Sequence, residues 1–139
     1  MVAVRILIVD DFEPWRLTVS SILRSEPQFE VVHEGLDGLE AVQKCMELEP
    51  DLVLLDVGLP LMNGLEAARR IRAALPAVKI LFLSENHSQD VMREALRIGA
   101  AGYVVKSEAM DHLLPAMRAA LGGEDFIRFT VSPGTPVDE

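Results

Sequence analysis

Five apolar runs of strand length alternate with five helical stripes along this chain, and that alternation limits its fold more than any other feature. Val4–Val9, Phe29–Glu34, Asp51–Asp56, Lys79–Ser84 and Gly102–Lys106 read as strands. Four of them are almost unbroken Val, Ile, Leu and Phe, the pattern expected when helices cover both faces of a parallel sheet. Between the strands, Pro14 suits a first helical position, with Trp15, Val19 and Ile22 along one side. Asp37 with Glu40 resembles a capping box ahead of Leu39, Val42 and Met46. Asn63 with Glu66 repeats the signal before Leu65, Ala68, Ile71 and Leu75. Val91, Ala95 and Ile98 form a stripe stopped by Gly99, and Leu113, Leu114, Met117 and Leu121 form the last, ended by Gly122 and Gly123.

The order βαβαβαβαβα, with short connections and right-handed crossovers, predicts a doubly wound α/β fold. Five strands fit the parallel order 2-1-3-4-5, the flavodoxin-like arrangement. The 139 residues suit one domain. We assign residues 1–123 to it and residues 124–139 to a C-terminal tail or the start of a linker. Within that tail Asp125–Val131 is strand-like, and Ser132–Glu139, with Pro133, Gly134 and Pro136, reads as disordered. Pro115 conflicts with the last helical pattern, because an interior proline removes a hydrogen bond and crowds the preceding turn at a cost of about 3 kcal/mol. That helix is therefore predicted to begin late or to bend near Asp111–Pro115.

In open α/β sheets, ligands bind at the carboxyl ends of the strands, near the switch in winding direction. Asp10 and Asp11 end the first strand, Asp56 the third, Ser84 the fourth and Lys106 the fifth. The order 2-1-3-4-5 brings three carboxylates, a hydroxyl and an ammonium into one crevice. Packed carboxylates repel one another, and a hard cation such as Mg2+, which prefers carboxylate and water oxygens, relieves the repulsion. A metal beside a lysine suits an incoming phosphoryl group, and a carboxylate can itself be the nucleophile, forming an aspartyl phosphate. Taken singly, each residue has a plainer role: Asp10 and Asp11 as a helix cap, Asp56 as a turn former, Ser84 as a strand-end hydroxyl, Lys106 as a surface charge. Their joint placement carries the functional reading.

Composition removes several alternatives. The formal net charge of −9, from 22 acidic and 13 basic residues, disfavours direct binding to a nucleic-acid backbone. One cysteine, Cys45, excludes an intrachain disulfide. No apolar run reaches the length of a membrane span, and the N-terminus lacks the layout of a secretory signal, so the expected location is the cytoplasm.

The segments Ile6–Asp11, Leu54–Gly64, Phe82–Ser84 and Gly102–Lys106 together resemble the receiver domain of bacterial two-component response regulators. The likeness runs from about Arg5 to Gly122. It implies that Asp56 accepts a phosphoryl group from a phosphohistidine on a sensor histidine kinase. It implies further that Asp10, Asp11, Asp56 and the backbone carbonyl of Gly58 hold Mg2+, and that Ser84 and Lys106 grip the transferred group. Tyr103 falls at the family's aromatic switch position, where inward rotation follows movement of Ser84; its plainer reading is a half-buried aromatic on an edge strand. Gly58 and Asn86 fall at positions that flank the phosphoryl group, with Gly58 leaving water access and Asn86 orienting that water. The stretch Gly99–Ser107 is most similar to the branch carrying LuxR-type helix-turn-helix output domains. Too few residues follow Gly123 for such a domain, so the expectation is a stand-alone receiver or the receiver portion of a longer protein. Receivers commonly use the face of the last helix for partner contacts, which implies a homodimer as one assembly.

Three rival readings follow from the same residues. An aspartate-nucleophile phosphatase of the haloacid-dehalogenase kind would place its second acid two residues beyond the nucleophile on the first strand, whereas the acids here are adjacent. A receiver-like interaction module that is never phosphorylated would not need all five key positions filled. A flavodoxin-like electron carrier would want a hydroxyl-rich phosphate loop, and only Trp15 and Tyr103 can stack on a flavin.

Overall fold

Alternate residues of each strand leave the sheet on opposite sides, so an unbroken apolar strand feeds two cores at once. In the computed structural model, which describes residues 2–123 together with 127 and 128, this division is plain. Leu7, Val9, Val53, Leu55, Ile80 and Phe82 lie in one buried cluster, and Ile6, Ile8, Leu52, Leu54, Leu81 and Leu83 in the other. The elements run β1 (Val4–Val9), α1 (Glu13–Leu23), β2 (Phe29–Gly35), α2 (Gly38–Leu48), β3 (Leu52–Leu55), α3 (Gly64–Ala74), β4 (Lys79–Ser84), α4 (Gln89–Ile98), β5 (Gly102–Val105), α5 (Ala109–Leu121) and β6 (Ile127–Arg128). Ala41, Cys45, Ala67, Ala68, Ile71, Met92 and Ala95 of α2, α3 and α4 cover the first cluster. Val19, Leu23, Leu113, Ala116, Met117 and Ala120 of α1 and α5 cover the second. Fully burying one Leu or Ile stabilises the fold by about 2 kcal/mol, so the two clusters together dominate its stability.

The sheet has the expected parallel order β2-β1-β3-β4-β5, and the two-residue β6 pairs parallel on the outer side of β5. Of the strand-like stretch Asp125–Val131, the described residues Ile127–Arg128 form a strand, and the rest of the stretch lies outside the described residues. The expectation of a disordered Ser132–Glu139 lies outside the described residues.

The capping signals act in part. Asp37 accepts from the Glu40 amide at 2.8 Å, and Asn63 from the Glu66 amide at 3.0 Å, so both begin helices as expected. Neither glutamate completes a reciprocal box. Glu40 turns instead to the Leu36 amide at 2.9 Å and the His33 ring at 2.7 Å, and Glu66 pairs with Arg69 and Arg70. A third cap, Ser88, accepts from the Asp90 and Val91 amides at the start of α4.

The late start predicted for the last helix does not occur. After a single 3-10 turn at Lys106–Glu108, α5 begins at Ala109 and continues through Pro115 to Leu121. Pro115 is on the exposed side, where the Asp111 carbonyl it leaves unbonded can be hydrated. Leu113, Ala116, Met117 and Ala120 are buried on the other side, and their burial outweighs the local cost.

Candidate functional site

Parallel register sets the height of the site. Val9 pairs with Leu55, and the Asp56 amide donates to the Val9 carbonyl at 3.1 Å, so Asp10 and Asp56 leave the sheet side by side. Gly64 opens α3 directly behind them. A Cβ at that position would fall on the Asp56 carbonyl oxygen, so only glycine lets α3 start this close to the end of β3. Ser84 ends β4, and Lys106 follows β5 as the first residue of the 3-10 turn.

These residues converge. Lys106 Nζ lies 2.6 Å from Asp10 Oδ2 and 3.4 Å from Asp56 Oδ2. All three residues are buried, with exposures of 5% for Lys106, 4% for Asp10 and 8% for Asp56, so the plain reading of Lys106 as a surface charge is overturned. Asp11 is exposed, yet one carboxylate oxygen from each of Asp10, Asp11 and Asp56 falls within 4.8 Å of the others. Burial pushes the Asp56 carboxyl above its ordinary pKa; the Lys106 ammonium opposes that rise and the Asp10 charge adds to it. A single ammonium faces three converging carboxylates, which leaves an excess of negative charge. The donor set, hard oxygens with one side open to solvent, fits a magnesium-sized cation.

Asp10 and Asp11 do not cap α1. The residue in that position is Phe12, whose side chain makes no capping bond, and Asp10 Oδ1 accepts from the Phe12 amide at 2.9 Å. The Asp10 carbonyl in turn accepts from Arg16 at 2.7 Å, which ties α1 to the site. Asp10, Asp11, Asp56, Gly58, Ser84, Asn86 and Lys106 line one cavity of about 480 Å³. A Cβ added to Gly58 would meet nothing within 4 Å, so that edge of the cavity is open.

Tyr103 alone of the expected residues does not line the cavity. It is fully buried on β5, which β6 flanks, so the reading of a half-buried aromatic on an edge strand is overturned. Its ring lies 5.9 Å from that of Phe82, and its hydroxyl donates to the Asn86 carbonyl at 2.6 Å. Burial pushes its pKa up to about 12, keeping the hydroxyl a donor. The Asn86 amide donates to Ser84 Oγ at 3.1 Å, so main-chain atoms of one residue connect Ser84 to Tyr103. The Asn86 side chain accepts from the Ser88 amide at 2.8 Å and so holds the turn into α4.

By sequence Trp15 belongs to a helical stripe. In the structure it also lines the cavity, with the Lys106 ammonium 5.2 Å from the centre of its ring. The one available signal was its position a turn of helix beyond Asp11.

A parallel 2-1-3-4-5 sheet with clustered acids and a buried lysine at its carboxyl edge defines the receiver class. Residues 6–118 match the response regulator receiver domain family, and the chain belongs to it. Among its relatives, the transcriptional regulatory protein DegU of Brevibacillus brevis is 37% identical over 124 residues, covering 89% of this chain and 52% of that protein. The response regulator protein VraR of Staphylococcus aureus is 36% identical over 121 residues, covering 87% and 58%. The chain thus spans little more than half the length of these relatives. A LuxR-family two-component response regulator from Aurantimonas sp. SI85-9A1 superposes with a TM-score of 0.85 at 34% identity, covering 90% of this chain and 89% of that one. The response regulator domain of Thermotoga maritima CheB gives 0.80 at 31% identity, covering 86% and 97%. The chain is a response regulator receiver domain of the two-component signalling kind, similar to the LuxR-family branch. No helix among the described residues is long and apolar enough to cross a membrane.

Proposed function

We propose that Asp56 is the phosphoacceptor of this receiver, taking a phosphoryl group from a phosphohistidine on a sensor histidine kinase. The observation that carries the reading is the buried group of Asp56, Asp10 and Lys106, with Lys106 Nζ within 3.4 Å of a carboxylate oxygen of each acid. In the transfer, an Asp56 carboxylate oxygen bonds to phosphorus as the phosphorus–nitrogen bond breaks, and the departing imidazole keeps that bond's electron pair. Burial leaves the Asp56 carboxylate poorly solvated, which favours its attack. Mg2+, when bound, supplies positive charge to the phosphoryl oxygens as they cross. Asp10, Asp11, Asp56 and the Gly58 carbonyl are the groups that would hold it. Lys106 then pairs with the transferred group, and Ser84 donates a hydrogen bond to it.

Ser84 is tied to Tyr103 through the main chain of Asn86, which supports Tyr103 as the residue that senses the shift of Ser84. The open edge at Gly58 supports water access to the phosphoryl group, with Asn86 beside it. The chain then works as a switch in the cytoplasm, with no catalytic turnover on other substrates. Its partners are the kinase, a second copy of itself and, in a longer protein, a DNA-binding output domain; the chain itself does not bind nucleic acid.

Incubation with Mg2+ and acetyl phosphate, followed by intact mass, tests the proposal. The expected result is a phosphate-sized gain that disappears in Asp56→Asn. No gain in the wild type, under conditions that label a known receiver, would favour the interaction-module reading and overturn this one.

A further inference from the structure

We infer that Trp15 is a positioning residue for Lys106 and that its indole face raises the affinity of the acidic site for a divalent cation. The inference rests on the reading of Asp10, Asp11 and Asp56 as a metal site. Three partners surround the Lys106 ammonium: Asp10 Oδ2 at 2.6 Å, Asp56 Oδ2 at 3.4 Å and the Trp15 ring at 5.2 Å from its centre. The first two are the carboxylates that a metal must use. Lys106 therefore competes for part of the metal's ligand set, and a cation that draws on the Asp10 carboxylate weakens its hold on that ammonium.

Where the ammonium turns next is limited by burial. At 5% exposure it has only the cavity's water to replace a lost carboxylate, and the ring face is the remaining protein partner within cation–π reach of about 6 Å. The attraction is electrostatic, arising from the negative face of the ring, so a carboxylate at 2.6 Å neutralises most of it. Once Asp10 is engaged elsewhere, the same ring contact is worth more. A contact stronger in the loaded than in the empty state shifts the equilibrium towards loading. Trp15 is half-buried on the first turns of α1 and packs beside the core under that helix, so its ring is held in place before any cation arrives.

The test is a Mg2+ titration followed by backbone amide NMR shifts, in wild type, Trp15→Leu, Trp15→Phe, Lys106→Met and the double variant Trp15→Leu/Lys106→Met. Trp15→Leu is expected to weaken Mg2+ binding about 3- to 10-fold, between the scales of an exposed and a fully desolvated cation–π contact, with Trp15→Phe between it and wild type. In the Lys106→Met background the leucine substitution should have no further effect, because Trp15 acts only through the ammonium. The same spectra report whether each variant is folded, and the phenylalanine variant keeps the comparison if leucine loosens α1. Equal affinity in Trp15→Leu and wild type, or an equal loss in both backgrounds, would overturn the inference while leaving the metal site intact. A wild type that binds no Mg2+ would overturn the site reading as well. Trp15 is the only tryptophan in the chain, so a change of its emission on adding Mg2+ to wild type is a second expected sign, and unchanged emission counts against it.

Discussion

Lys106→Met removes the ammonium that faces Asp10 and Asp56 while keeping most of the volume of its stem. Removing one partner of a buried ion pair costs about 3–5 kcal/mol when the charge left behind stays buried. Asp10 and Asp56 are nearly as buried as Lys106, but the cavity beside them opens to solvent, so the lower end of that range applies. We expect a loss of about 3 kcal/mol at about pH 8 without divalent cations, a large share of the 5–15 kcal/mol typical of a domain. The pH dependence has a definite sign. In the wild type the Lys106 charge opposes the upward shift of Asp56; without it, burial and the Asp10 charge act unopposed. The folded pKa then lies further above the unfolded value, the folded state binds more protons, and stability rises as pH falls. The deficit of the variant should therefore shrink from about pH 8 towards about pH 5. Adding about 10 mM Mg2+ should stabilise the variant more than the wild type, because no ammonium competes for Asp10. Urea unfolding followed by circular dichroism, with EDTA or Mg2+ at each pH, measures all three differences. A variant as stable as wild type in EDTA at the higher pH, or equal Mg2+ increments in both proteins, would refute the reasoning.

Two further outcomes follow from the helix ends and from α5. The His33 hydrogen bond holds the Glu40 carboxyl below the usual carboxylate range, against the opposing effect of its burial. Glu40→Gln should cost about 1 kcal/mol near neutral pH, and because a lowered carboxyl stabilises only above its unfolded pKa, the difference should fade below about pH 4 in urea melts. Pro115→Ala should stabilise the protein by about 1–3 kcal/mol, raising the thermal midpoint, since it restores an amide for the Asp111 carbonyl on an exposed helix side. An unchanged midpoint would mean that α5 already accommodates the proline without strain.

The site was legible because strand ends are. Asp10, Asp56 and Ser84 each close an apolar run, Lys106 follows the fifth, and the winding rule makes those ends neighbours. Trp15 was legible only as one residue of a stripe, because which helix residues overhang the sheet's edge depends on the rotation of α1, and no local pattern encodes that. Glu40 and Glu66 carry the spacing of a capping box, yet His33, Arg69 and Arg70 offer charge-assisted partners that the box cannot match. Ser88 lacks the glutamate three residues on that marks such a box, since Val91 stands there. Pro115 was read from backbone chemistry alone, and the burial on the other side of α5 decided the matter. Tyr103 is a fully interior residue because its ring leaves the sheet face into the cluster with Phe82, Met92 and Ala95, and β6, which lies past the last helix, pairs along its strand.

Asn86 joins the acidic pocket to the aromatic interior through its amide and carbonyl alone. Every amino acid but proline brings both groups, whereas the side chain at this position has a separate task, accepting from the Ser88 amide at the turn into α4. On the proposed reading, a substitution at residue 86 that keeps the turn changes what lines the pocket, while the amide and carbonyl that lead to Tyr103 remain. The lining of the pocket and its link to Tyr103 thus rest on different atoms of one residue.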